Sequence, residues 1–353
     1  MISLALLVLA GLTMCNGIAG QDDDSWRELT GDKLVTFASG VTTKTTSPLP
    51  NNTSFGVFAF LQNGVIGSSS GLWADLATKH WAPNFMFNEE VLFDGSDYIY
   101  APHRYWPSNS ENKLTFWAYC PYEASPDLLV AGSTSTSYTG SSEGIPDIRF
   151  TVDGHTDVLY SDVVADQTYA SNSGIVPFSF AHALALIDVQ AEKVDSPGTY
   201  TVTLKSVSFK GLYMTAIFRN STWTWANYSG NRQNILVWED DPDDDGDNKV
   251  LAHNSPISVG SALPLPQVLT NDASRMHVEF DVSYLKDPLD PSTRQSYSTS
   301  RDVYLKDVFY DAGQEWAKDC HYTLTIRITP DKPIQFTVSW SDWGAEHNYQ
   351  LSS

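Results

Sequence analysis

Gly67-Ser68-Ser69-Ser70-Gly71 has the G-x-S-x-G spacing of a nucleophile elbow, a strained strand-to-helix turn that lifts a serine hydroxyl out of a parallel α/β sheet. That chemistry needs a parallel α/β sheet around the turn, and no such sheet is predicted anywhere along the chain. The segment reads as a Ser/Gly loop. Asp241, Asp243, Asp245 and Gly246 have the D-x-D-x-D-G spacing of a calcium loop. Position 12 of such a loop falls on Ala252 instead of a bidentate glutamate, and no flanking helices are predicted. The acidic run at residues 239–247 supplies seven of the 21 net negative charges and reads as a solvated loop. The eight histidines form no H-E-x-x-H pattern and no close His/Cys pair, so neither a metal site nor a cofactor is expected. His182 is expected to tie down a strand end. Trp223 and Trp225, with Asn220, Asn227 and Tyr228 nearby, can stack on sugar rings if exposed and serve sheet packing if not. No catalytic residues emerge, and no enzymatic activity is expected.

The elements that must carry these residues are strands. The 353 residues suit two domains or one large one, and a hydrophobic content of 42% supplies a core. Asp and Glu number 42 against 21 Lys and Arg; a surface this acidic repels phosphate backbones, which excludes nucleic acid as a partner. Residues 276–284 alternate apolar and polar without a fault, as do residues 322–328 and 334–341. Tyr200/Val202/Leu204, Phe55/Val57/Ala59/Leu61 and Val35/Phe37 continue the pattern. A period of two places one face in a core and the other in water. Clusters of Gly, Pro, Asn, Asp and Ser separate these runs at turn spacing. One short helix is expected at residues 71–80. The fold class predicted is all-β, of sandwich type. Residues 169–174 mark a boundary, giving an N-terminal β-sandwich domain at 33–170 and a C-terminal one at 171–353.

Residues 2–13 are apolar and uncharged, too short to span a bilayer but long enough for a secretory signal. Leu12-Thr13-Met14-Cys15 resembles a lipobox, which would make residues 1–14 a signal peptide and Cys15 a lipidation site. Asp22-Asp23-Asp24 then lies in an acidic export linker, residues 15–32. Cleavage after Ala19 or Gly20 is the alternative and removes Cys15 with the peptide. Either route exports the chain. Cys120 and Cys320 each lie on an apolar strand face, as buried free thiols or as a disulfide between the two.

Several segments together resemble the fimbrillin (Mfa-like) family, the type V pilus subunits of the Bacteroidia. Leu34-Val-Thr-Phe37, Thr42-Thr-Lys44-Thr45 and Phe55-Gly-Val-Phe-Ala-Phe60 resemble the start of its mature domain. Tyr100-Ala-Pro-His-Arg-Tyr-Trp-Pro107 and Lys113-Leu-Thr-Phe-Trp-Ala-Tyr119 resemble its most recognisable block. Val176-Pro-Phe-Ser-Phe-Ala-His-Ala-Leu184 resembles the opening of its second domain. Leu263-Pro-Leu-Pro-Gln267, residues 322–328 and residues 334–343 resemble its C-terminal half.

The resemblance implies two transthyretin-like β-sandwich domains in tandem and a structural or adhesive subunit of a cell-surface fimbria. It further implies export as an outer-membrane lipoprotein and proteolytic removal of the first strand, here carrying Val35, Phe37 and Val41. Cleavage would fall between Lys44 and Thr45, where the family usually has arginine. The partners implied are other fimbrial subunits, joined by β-strand addition into the vacated groove. Ile334, Phe336, Val338 and Trp340 alternate as a donor strand must, and equally as the last strand of their own domain must. The alternative functions are an uncleaved fimbrial anchor or accessory protein, and a surface lipoprotein that binds host or bacterial glycans.

Overall fold

The computed structural model of the chain describes residues 33–42, 46–47, 49, 52–62, 73, 82–109, 111–194, 200–241, 243, 249–330, 332–343 and 349–352. The protein is all-β. Helical turns occur at Pro291–Thr293 and Leu305–Val308. Of the helix expected at 71–80, only Trp73 is among the described residues, and it is helical. No helix among the described residues is long and apolar enough to cross a membrane.

The largest sheet runs, edge to edge, Thr46–Ser47, Thr36–Thr42, Ile175–His182, Leu159–Ser161, Lys113–Cys120, Thr53–Gln62, Met86–Phe93 and Tyr98–Ile99, with Val164–Gln167 as a side branch. Its central pair, Thr53–Gln62 and Lys113–Cys120, is antiparallel with Gly56 opposite Tyr119 and Gln62 opposite Lys113. Alternation alone predicts one wet face for these strands. Instead both faces are buried. Phe55, Val57 and Ala59 enter one core while Phe58 and Phe60 enter another, all at 0% exposure. Leu114, Phe116, Ala118 and Cys120 likewise oppose Trp117 and Tyr119. The intervening positions are aromatic instead of polar, so a second apolar layer forms on what would otherwise be the solvent side. A side chain at Gly56 would meet the Tyr119 ring at 2.4 Å. Glycine there lets that ring lie across the strand, with its hydroxyl 2.8 Å from Asn88 Oδ1.

The second layer belongs to three further sheets. A five-stranded one runs Ile257–Ala262, Ala185–Lys193, Cys320–Ile328, Gln335–Asp342, Tyr349–Ser352. Another contains Gln233–Glu239, Tyr200–Leu212, Arg275–Leu285 and Arg294–Tyr304, with Lys249–Val250 attached to Tyr200–Leu212. Here one-faced alternation holds: Met276, Val278, Phe280 and Val282 are buried and the residues between them are not. The last sheet draws Asp127–Leu129 and Asp147–Thr151 from the first half of the chain and Thr215–Arg219 and Thr224–Ser229 from the second. A division at 170/171 therefore does not separate the sheets. Ile175–His182 completes the first sheet, the chain crosses over at Ala183, and the four-stranded sheet is shared.

Asp147 pins the shared sheet. It is fully buried; Oδ2 accepts from Arg219 Nη1 at 2.6 Å and from the Gly132 N–H at 2.8 Å. Its Oδ1 accepts from the Asn220 N–H at 3.0 Å. Asp147→Ala would leave the Arg219 guanidinium facing a dry gap, and should cost about 3–5 kcal/mol, read as a lowered guanidinium unfolding midpoint. Buried phenols give the fold an alkaline limit. Burial pushes Tyr100 and Tyr228 up to about 12 and raises Tyr119, Tyr138 and Tyr322 as well. Below pH 10, the ordinary phenol value, neither state ionises and stability is complete. Above it the unfolded chain releases protons that the folded chain keeps, so stability falls as pH rises from 10 towards 12. Thermal melts across that range should show a falling midpoint, with tyrosinate absorbance from these rings appearing only on unfolding.

Candidate functional site

The first strand fills a trench in the largest sheet. Thr36–Thr42 runs parallel to Ile175–His182, with Thr36 opposite Ile175 and Val41 opposite Phe180. Its other edge is covered lightly. Thr46–Ser47 pairs with Val41 and Thr42, and Leu34 bridges Tyr105. The Val35 N–H donates to Arg104 O and the Trp106 N–H to Lys33 O, both at 2.9 Å.

Val35 and Phe37 point inward and are buried, while Ala38 is exposed, as a period of two demands. The Phe37 ring stacks on Phe178 with centroids 5.8 Å apart and planes at 9°. Phe55, Phe116 and Tyr100 meet it edge-on at 6.3, 6.2 and 5.4 Å. The Tyr100 hydroxyl donates to Val35 O at 2.8 Å and accepts from the Arg104 N–H at 3.1 Å. Because burial raises its pKa, that hydroxyl stays protonated and keeps donating. Trp106, also buried, donates its indole N–H to Gly174 O at 3.1 Å, and the Thr36 N–H reaches the same oxygen. The walls of the trench are therefore Phe55, Tyr100, Trp106, Phe116 and Phe178. None of these is picked out as a site residue by sequence reasoning. The signals were the aromatic density at residues 100–106 and the alternating phenylalanines at 178 and 180.

Cys15, Lys44 and Thr45 lie outside the described residues, as do the 67–71 loop and Asp245 and Gly246 of the acidic loop. For Val41 the backbone register alone is described. The C-terminal candidates sit in Gln335–Asp342 and the residue before it. That strand pairs antiparallel with Cys320–Ile328 on one side and Tyr349–Ser352 on the other. Ile334 and Val338 are buried; Phe336 and Trp340 are half-buried against the same core. In this structure the segment is thus a strand of its own sheet, the second of the two places its alternation allows.

The remaining candidates serve packing. Trp225 meets Phe218 and Phe150 edge-on at 5.1 and 5.9 Å and donates its indole N–H to Ala183 O at 2.6 Å. Trp223 stacks on Tyr160 at 5.0 Å. His182 shares a hydrogen bond with Asp157 at 2.5 Å and stacks on Trp343 at 3.7 Å, joining the end of one sheet to the end of another. Cys120 and Cys320 are free thiols. Burial raises both, Cys120 to about 12, which keeps them protonated and poor nucleophiles. Among the described residues no cluster of three His, Cys, Asp or Glu has metal-binding geometry.

What the trench can do is hold a strand. Phe37→Ala should cost about 3–5 kcal/mol and make the segment ahead of residue 46 more sensitive to protease. Ala38→Ser, one position along and facing outward, should shift the unfolding midpoint by no more than about 0.5 kcal/mol. Urea titration with pulse proteolysis reads both.

A family model described as fimbrillin-like matches residues 42–343. Over 194 residues the chain is 31% identical to the fimbrium subunit Fim1C of Phocaeicola vulgatus, which covers 52% of this chain and 48% of that protein. The chain thus matches about half the length of that curated relative. A fimbrial protein from Bacteroides vulgatus shares the fold with a TM-score of 0.67 at 19% identity, over 88% of this chain and 100% of that one. A Bacteroides uniformis protein assigned to cell adhesion aligns with a TM-score of 0.52 at 13% identity, over 88% of this chain and 99% of its own.

Proposed function

The chain belongs to the fimbrillin-like family, and from that premise we propose that it is a structural or adhesive subunit of a cell-surface fimbria, joined to its neighbours by strand exchange. The observation that carries this reading is the seating of the first strand. Val35 and Phe37 fill an aromatic trench at a thinly covered sheet edge, so removing residues 33–44 would uncover the trench and the edge of Ile175–His182 together. Burying each such side chain is worth about 1.5–3 kcal/mol, so an emptied trench has a strong preference for a replacement strand. Main-chain hydrogen bonds to the vacated edge supply affinity, and the alternating apolar positions set the register.

The replacement would carry Ile334, Phe336, Val338 and Trp340 from a second subunit. These side chains repeat at every second position, the spacing that Val35 and Phe37 display in the trench. Donation requires Gln335–Asp342 to part from Cys320–Ile328, with Tyr349–Ser352 leaving first because it is the outermost strand of that sheet. Exposing Ile334 and Val338 opposes donation until an open trench is offered. That opposition keeps the unprocessed subunit from donating its C-terminal strand. Acylation of Cys15 would keep it at the outer membrane until cleavage between Lys44 and Thr45.

The test is the N-terminal residue of the protein sheared from the surface of its native host. Thr45 as the first residue, in assemblies that persist in mild detergent, is the expected result. In the purified chain, Lys44→Gln should then block both trypsin removal of the first strand and the assembly that follows. Recovery of the intact chain with an acylated Cys15, retained in membranes, would overturn strand exchange and make the protein an uncleaved anchor or accessory subunit.

A further inference from the structure

Arg294–Tyr304 is an 11-residue strand that ends its sheet among the described residues. It pairs with Arg275–Leu285 without a register shift, from Arg275 opposite Tyr304 to Leu285 opposite Arg294. Edge strands of soluble proteins are usually protected by brevity, proline, a bulge or charged side chains, lysine above all. This one is long and carries Arg294, Arg301 and Asp302 as its charges. It contains no proline and no lysine, and its unbroken ladder contains no bulge. Ser296, Ser298, Ser300 and Asp302 are exposed. Alongside its C-terminal part runs an open groove of about 490 Å³, bounded by residues 301–304 on one side and by Lys332 and Pro333 on the other. An open groove beside an unbroken sheet edge is a setting for β-strand addition.

We propose that this edge binds the same edge of a second copy of the chain, antiparallel and centred on Ser298. Identical strands can pair antiparallel only where facing residues share a side of the sheet and both turn main-chain groups outward, which restricts facing residues to an even separation. Among those registers, the one centred on Ser298 sets Arg294 of each copy against Asp302 of the other, twice by symmetry. No other allowed register sets Asp302 against a cation of the strand, because Arg301 is one residue away and therefore of the wrong parity. Opposite charges directly across a ladder stabilise it, and like charges oppose it. Asp302 already receives His277 at 2.6 Å and Arg275 at 3.6 Å, and Arg294 donates to Ser283 at 3.1 Å. The cross-copy pair would therefore join groups that are held in place beforehand. The interface is a single ladder and small. In an assembly that presents the edge repeatedly, many such ladders act together and give lateral contact between neighbouring polymers.

Cysteine cross-linking of the full chain tests this. In the proposed register the two copies of residue 298 face each other about 4.5–5.5 Å apart between Cα atoms, within the roughly 4.4–6.8 Å a disulfide spans. Residue 296 faces residue 300 instead, so its two copies lie about 13 Å apart along the ladder. Oxidised Ser298→Cys should give a disulfide dimer in yield many times that of Ser296→Cys, with the wild-type chain as the blank for its own cysteines. Adding Arg294→Glu to Ser298→Cys should lower the yield several-fold, because it sets two carboxylates against each other. Equal yields from residues 296 and 298, or no response to Arg294→Glu, would overturn the proposal. So would a chain that stays monomeric in sedimentation at every concentration while the introduced thiol remains open to reagent, an outcome that leaves the edge for a strand of a different protein.

Discussion

The Phe37 ring, face-on to Phe178 and edge-on to Phe55, Phe116 and Tyr100, is the contact on which the first sheet depends. Those four residues come from strands and a loop far apart in the chain, and they converge on one side chain from a segment with little else to hold it. Offset stacking and edge-to-face contact are each worth about 0.5–1.5 kcal/mol beyond burial. The polar contacts are arranged around the ring. Tyr100 holds Val35 O, Trp106 holds Gly174 O, and Gly174 O also receives the Thr36 N–H. The proposed strand exchange calls for a strand seated in this way, by one large anchor and a set of main-chain bonds.

The larger core of the molecule draws no residue from that strand. The sheet's other face is closed by Phe58, Phe60, Trp117 and Tyr119 against a core shared with the remaining sheets. Asp147 and Arg219 lock the shared sheet from within, and His182 with Trp343 joins the ends of two others. None of these contacts involves residues 33–42. Vacating the trench therefore opens one side of one sheet and leaves the larger core in place.

Two edges of the protein contrast. The edge at the first strand is partly hidden by Thr46–Ser47 and by the Arg104–Trp106 main chain, and its inner side is greasy. The edge at Arg294–Tyr304 is straight, long and coated with hydroxyls and charges. The first kind of edge, once opened, binds strongly because apolar area is waiting to be covered. The second binds weakly and reversibly, because main-chain bonds exchange with water at nearly equal free energy.

The amino-acid sequence by itself determined the strand content, since alternation such as that of residues 276–284 has a single physical meaning. It also placed Val35 and Phe37 on one face of a strand. Three matters were left to the tertiary structure. Alternation at Phe55, Val57 and Ala59 implied one buried face, but Phe58 and Phe60 are buried too, because a second layer drawn from distant sequence covers them. Trp223 and Trp225 suit a sugar platform as well as a core by type, and only the positions of Tyr160, Phe218 and Ala183 O turn them inward. Residues 334–340 meet the needs of their own sheet and of a foreign groove equally. A period of two records which side of a strand is apolar and nothing about which strand lies beside it. Pairing partners are chosen by contacts between residues far apart in the chain, so the partition of sheets and the depth of the trench became visible only in three dimensions.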